Sequence, residues 1–91
     1  MEGALVFGLS AALHEQISLR DGAVINSNFH DYRVARLSES PEMFVSIIEN
    51  DEAPGGVGEP GVPPVAPALC NAIYAATGKH IRRLPVASQL I

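Results

Sequence analysis

The chain has little of several things that usually announce a function. Cys70 is its sole cysteine, so no internal disulfide can form and the redox compartment cannot be read from thiol spacing. His14, His30 and His80 stand far apart, at none of the spacings used by zinc sites, so no metal set is read from protein side chains. Tryptophan is absent, aromatics make up 5% of residues, and six basic residues against ten acidic give a formal net charge of −4. The single dense basic group, Lys79 with Arg82 and Arg83, lies near the chain end, and no nucleic-acid partner is expected. No apolar run is long enough to span a bilayer, and the start lacks the basic-then-apolar pattern of a signal peptide. Any targeting signal would belong to a longer parent chain, which leaves the compartment open.

What is present is a composition 47% apolar and 18% charged over 91 residues, which is globular rather than disordered and holds one small module with a thin core. Ala4, Leu5, Val6, Phe7, Leu9, Ala11, Ala12 and Leu13 are apolar around nearly the whole helical projection. This predicts a helix over 2–13 buried on more than one face. Gly3 and Gly8 each lower its propensity by about 1 kcal/mol and point to close packing against a neighbour. Ser10 lacks the flanking glycines of a nucleophile elbow.

Gln16–Arg20 and Ala23–Asn26 flank Asp21-Gly22, a hairpin signal. Met43–Ile48 is rich in strand-favouring residues and predicts a buried strand, and Ile81–Val86 a short final one. Between the two, Val62, Val65, Ala66, Leu69, Ala72, Ile73 and Ala76 follow the helical period. This helix begins near Pro64, with Pro67 still in the first turn and Gly78 in the left-handed position after the last. The class expected is α+β, with two helices, a β-hairpin and one or two further strands.

One loop stands out. Gly55-Gly56-Val57-Gly58-Glu59-Pro60-Gly61 places a single carboxylate among glycines, which permit positive φ and close backbone approach, and prolines, which stiffen the chain. A glycine loop before a helix can hold phosphate, but Glu59 would repel it and no lysine follows. A general base needs a fixed position and apolar walls that raise its proton affinity; Val57, Val62 and the prolines could supply them. The plain alternative is a connector whose glutamate faces water. Ser27–Tyr32 is a second candidate, although His30 beside Asp31 also reads as a surface pair or a capped turn. Cys70 lies within an apolar helix, where a small buried thiol is the default.

Gly55–Pro64, Ala66-Pro67-Ala68, Asn71-Ala72-Ile73, Ala76–Lys79, Glu2-Gly3-Ala4 with Phe7-Gly8-Leu9, and Ser27–Tyr32 together resemble the carboxy-terminal end of the molybdenum-binding subunit of xanthine dehydrogenase-type hydroxylases, most of all its isoquinoline 1-oxidoreductase branch. The resemblance implies that residues 1–91 are a single C-terminal module, a slice of a molybdopterin-binding domain. In that family the glutamate of the Val-Gly-Glu-Pro segment takes a proton from a hydroxyl on molybdenum. The oxygen, derived from water, then attacks an electron-poor carbon of an N-heterocycle or aldehyde, and hydride passes to a sulfido ligand. Carried over, Glu59 is the base, Gly58 and Gly3 lie at the cofactor, and His30 and Tyr32 lie on the substrate side. The implied cofactor is molybdopterin, in its cytosine dinucleotide form, and the implied partners are the remainder of the large subunit and a [2Fe-2S] small subunit. The glutamine that precedes the Glu-Gly pair in the family would fall at or before Met1, so the isolated chain is expected to bind no cofactor, to be inactive, and to self-associate through its apolar first helix. The competing reading is a truncated or assembly module with no catalytic role.

Overall fold

The computed structural model describes residues 1–90. Helix α1 spans Glu2–Leu13, strands β1 (Leu19–Arg20) and β2 (Ala23–Val24) form an antiparallel hairpin, a 3-10 turn covers Leu37–Glu39, helix α2 spans Val65–Thr77, and a last 3-10 turn covers Ala87–Gln89. The class is α+β, as the sequence predicts. Leu19 pairs with Val24 and Arg20 with Ala23. Asp21 and Gly22 both take positive φ, +50° and +78°, the backbone that lets a two-residue turn follow strand twist.

Helix α2 starts and stops where its residues require. Pro64 is its N-cap and Pro67 falls in the first turn, where a missing amide hydrogen costs nothing. Gly78 ends it at φ +74°, its N–H donating to the Tyr74 carbonyl at 2.7 Å. The core gathers Ile73 of α2 with Ile81 and Val86 of the following segment, Leu69 and Cys70 packing partly against it. The Val86 N–H donates to the Ala12 carbonyl at 2.9 Å, tying the C-terminal segment to the end of α1.

Small residues set the approach of the two helices. The buried positions of α1 include Ala4, Gly8 and Ala12, spaced four apart along one face. A Cβ on Gly8 would lie 2.9 Å from the Val62 carbonyl oxygen and 3.0 Å from the Val65 side chain, and one on Gly61 would lie 3.0 Å from the Ala4 Cβ. Gly8 is thus small because α2 and its lead-in pass against it, as its place in an apolar helix implies. Gly3 meets nothing within 4 Å. The expectation that α1 is buried on more than one face is met only in part, since Ser10 is also buried while Phe7 stays 67% exposed.

The further strands are not formed among the described residues. Met43–Ile48 is irregular, with Phe44, Ile47 and Ile48 each at least 86% exposed. Strand-favouring side chains need a neighbouring edge to pair with, and the one ladder among the described residues is the hairpin. Ile81–Val86 is buried at both ends but makes no ladder, and its Leu84–Pro85 bond is cis. Its place is fixed by side-chain burial, the bond to Ala12, and the Gln89 side-chain amide, which donates to the Arg83 and Pro85 carbonyls at 2.7 and 2.8 Å. Among the described residues no helix is long and apolar enough to cross a membrane.

Candidate functional site

The Gly/Pro loop is anchored at its exit. The Val62 N–H donates to the Glu59 carbonyl at 2.9 Å and the Val65 N–H to the Val62 carbonyl at 3.3 Å, closing two successive turns between Glu59 and α2. Gly61 then rests on Ala4, and Val62 and Val65 on Gly8. Gly55, Gly56 and Gly58 meet nothing within 4 Å and none takes positive φ. The left-handed freedom the glycines offer is therefore unused, and what they supply is open space.

Two clefts adjoin this loop. One, of about 380 Å³, is lined by Gly3, Ala4, Phe7, Gly58, Glu59 and Val62. The other, of about 620 Å³, lies between Gly56, Gly58, Glu59, Pro60 and Pro63. Gly3, distant in sequence from Gly58 and Glu59, thus shares one concavity with them between the start of α1 and the loop. Glu59 itself is exposed. Val62 walls the cleft, but Val57 lines neither, so the apolar enclosure the sequence offered is only partly assembled by these residues. The ion pairs among the described residues join His14 to Glu39, His30 to Asp31 and Arg33 to Glu39, and none uses Glu59. Among the described residues no group of three or more His, Cys, Asp or Glu side chains is placed to hold a metal ion.

Tyr32 lines a separate cleft of about 230 Å³ with Ile17, Asn26, Ser27, Asn28 and Phe29. His30 lines neither this cleft nor the two beside Glu59; it is exposed, its Nε2 3.7 Å from Asp31. Asp31 organises the turn, accepting from the Ser27 N–H at 3.0 Å and the Asn28 N–H at 3.1 Å. Those two amide bonds hold its carboxyl below the usual value, with His30 adding a smaller pull. The capped-turn reading of this stretch therefore describes its local geometry.

Sequence reasoning missed a polar network under the same region. Ser10 Oγ donates to Glu15 Oε1 and accepts the Ala35 N–H at 2.8 Å, while Tyr32 Oη donates to Glu15 Oε2 at 2.8 Å. That bond to a carboxylate raises the proton affinity of the tyrosine, helped by desolvation and by the Glu15 charge. Beside it, the His14 ring lies 2.6 Å from Glu39, which also accepts from Arg33 and from the Arg36 N–H, each at 2.9 Å. The Arg36 amide, then His14 and Arg33, keep Glu39 below the ordinary carboxylate range. The partners are up to 25 residues apart, with no spacing that could have paired them beforehand.

No family model matches the chain. Comparison with known proteins decides its kinship. The chain is 42% identical over 99% of its length to the isoquinoline 1-oxidoreductase subunit beta of Brevundimonas diminuta, and 37% identical over 94% to the xanthine dehydrogenase molybdenum-binding subunit of Escherichia coli O157:H7. Its homologues are molybdenum-binding subunits of the xanthine dehydrogenase family. The match to the membrane-bound aldehyde dehydrogenase [pyrroloquinoline-quinone] of Gluconacetobacter polyoxogenes, 39% identical over 93% of the chain, names a different cofactor for that protein. The chain spans 11–12% of the length of these three relatives, so the xanthine dehydrogenase-type likeness concerns one slice of a far longer subunit.

Proposed function

We propose that residues 1–91 are a C-terminal module of a molybdenum hydroxylase large subunit and that Glu59 is its general base. The observation that carries this reading is the meeting of Glu59 with Gly3 and Gly58 in one cleft, the carboxylate free of ion pairs among the described residues. The cleft suits a group that brings its own metal ligands, because backbone at Gly3 and Gly58 lies open where a side chain would stand. Molybdopterin, when bound, supplies the two-electron acceptor of the hydroxylation. Glu59 takes the proton from the oxygen nucleophile, and Gly58 lets that oxygen approach the loop closely. The turns from Glu59 to Val65, seated on Gly8, hold the carboxylate at a set place relative to α1.

The substrate class that fits is an N-heteroaromatic or aldehyde carbon, in keeping with relatives named for isoquinoline and aldehydes. Electrons leave through a [2Fe-2S] partner subunit, the pterin is the cytosine dinucleotide form, and His30 and Tyr32 lie toward the substrate side. The isolated chain is inactive and self-associates, its exposed Phe44, Ile47 and Ile48 adding to Phe7 as surface to be covered. Sedimentation of the isolated chain should show oligomers; a strictly monomeric profile rejects that part.

The deciding experiment is Glu59→Gln in the full-length enzyme. Metal and pterin content should stay near normal while turnover falls by about 10²- to 10⁴-fold, the usual contribution of a positioned base. Retained turnover removes the base assignment. Purified enzyme with full turnover and no molybdenum removes the cofactor reading and favours the chemistry named for the aldehyde dehydrogenase relative.

A further inference from the structure

Met43–Ile48 has the local marks of a strand and no neighbour to pair with. Among the described residues it makes no backbone–backbone hydrogen bond, and Phe44, Ile47 and Ile48 are each at least 86% exposed. Laid out as a strand, Met43, Val45 and Ile47 point to one face and Phe44 and Ile48 to the other. Both faces are apolar, the pattern of a strand inside a sheet that is covered on both sides, and not of an edge with one wet face. Pro41 with Glu42 on one side and Glu49-Asn50-Asp51-Glu52 on the other confine the run to six residues, the usual strand length. Met43 and Phe44 form one lip of an apolar cleft of about 570 Å³, whose far walls include Leu5 and Leu9 of α1 and Leu69 of α2. The helix pair therefore stands beside the segment, while the hairpin, the one ladder among the described residues, offers it no edge.

We infer that Met43–Ile48 is an internal strand of a sheet whose neighbouring strands come from the part of the large subunit outside residues 1–91. The chain spans 11–12% of the length of the relatives compared above, so most of such a subunit lies outside it. A second copy fits less well, because two identical strands pairing with each other satisfy one edge of each and leave the other open. An internal position satisfies both. The pairing also reaches the acid-bearing loop. That loop is anchored at its exit by the turns from Glu59 to Val65. Between Glu49 and Gly58 the one hydrogen bond among the described residues runs from the Glu52 N–H to Asn50 Oδ1, at 2.9 Å. Fixing Ile48 in a sheet supplies an anchor at the entry, which makes Met43–Ile48 a positioning element for Glu59. The anchoring rests on the reading of Glu59 as base, whereas the pairing rests only on the chain being part of a longer subunit.

The test is amide hydrogen exchange, read by mass spectrometry on the full-length enzyme. The peptide over 43–48 should exchange roughly 100-fold or more slowly than an unstructured chain, equally at high and low protein concentration. Exchange at the unstructured rate overturns the pairing. Protection that disappears on dilution assigns the segment to a second copy and overturns it too. Ile47→Gly weakens a strand interior without removing an amide, and should speed exchange at 43–48 by about 5- to 10-fold with α2 unaffected. Ile47→Val should match the parent, and an unmoved rate in Ile47→Gly counts against the strand. The Ile47→Gly enzyme should also lose several-fold in kcat with its molybdenum content retained, and the same substitution should cost nothing further on the Glu59→Gln background. Equal losses on both backgrounds overturn the anchoring of Glu59 and leave the pairing in place. Persistent turnover in Glu59→Gln overturns the base assignment instead, a failure that the exchange rates do not share.

Discussion

Two loops of this chain each carry an acid flanked by turn-forming residues, and they put it to opposite use. In Ser27–Tyr32 the Asp31 carboxylate is consumed by its own loop, accepting from Ser27 and Asn28. In Gly55–Gly61 it is the Glu59 backbone carbonyl that closes a turn, while the side chain lines two clefts. The Ser27 and Asn28 amides turn toward the Asp31 carboxylate, and Ser27 Oγ adds a donor at 3.3 Å. Around Glu59 the prolines carry no amide hydrogen, and the turn that forms is closed by its backbone carbonyl, so the side chain stays available. The course of the surrounding backbone, more than the acid itself, separates a capping carboxylate from a candidate base.

The sharpest way to break that comparison is to neutralise both acids. Glu59→Gln should cost the full-length enzyme orders of magnitude in turnover with little change in melting temperature, whereas Asp31→Asn should lower stability and leave chemistry largely intact. Equal effects on both readouts would erase the distinction. Gly8→Val comes next in size, because its Cβ would press on the Val62 carbonyl and the Val65 side chain. Overpacking of this kind costs about 1–3 kcal/mol, seen as a lower denaturation midpoint, and it should disturb the Glu59 loop while the Asp31 turn stays native. The smallest effect is on acid stability. Asp31 and Glu39 are lowered from 3.8 and 4.5 by the amides and cations that bind their ionised forms, so an unfolded chain takes up protons before the folded one does. The stability they add is complete above those ordinary values and drains away as pH falls through the lowered ones. Urea midpoints measured from pH 6 down to pH 2 should fall, and Asp31→Asn should flatten part of that decline.

The helices and the hairpin were legible because local chemistry decides them. Gly78 had to follow the last turn of α2, Pro64 and Pro67 had to precede or open it, and Asp21-Gly22 has few other uses between extended residues. Met43–Ile48 was misread because side-chain type reports a preference for pairing and not the presence of a partner. Ile81–Val86 differs from expectation for a related reason: its apolar ends, Ile81 and Val86, are buried with Ile73 of α2 without a ladder. The cleft shared by Gly3, Gly58 and Glu59 was foreshadowed by resemblance and not by spacing, since more than fifty residues separate its two sides. The Ser10–Glu15–Tyr32 network had no sequence signal. Ser10 has the wrong flanks for a nucleophile, and its hydroxyl serves instead as a relay between the Ala35 amide and the Glu15 carboxylate.

The seam where Ala4 and Gly8 meet Gly61, Val62 and Val65 has a consequence for inheritance and for engineering. None of these side chains carries a reactive group, yet the permissible volume at positions 4, 8 and 61 sets how far the acid-bearing segment stands from the first helix. Randomising those three codons and selecting for activity should return glycine, alanine and serine almost exclusively, a filter on bulk imposed by a carboxylate that none of them touches.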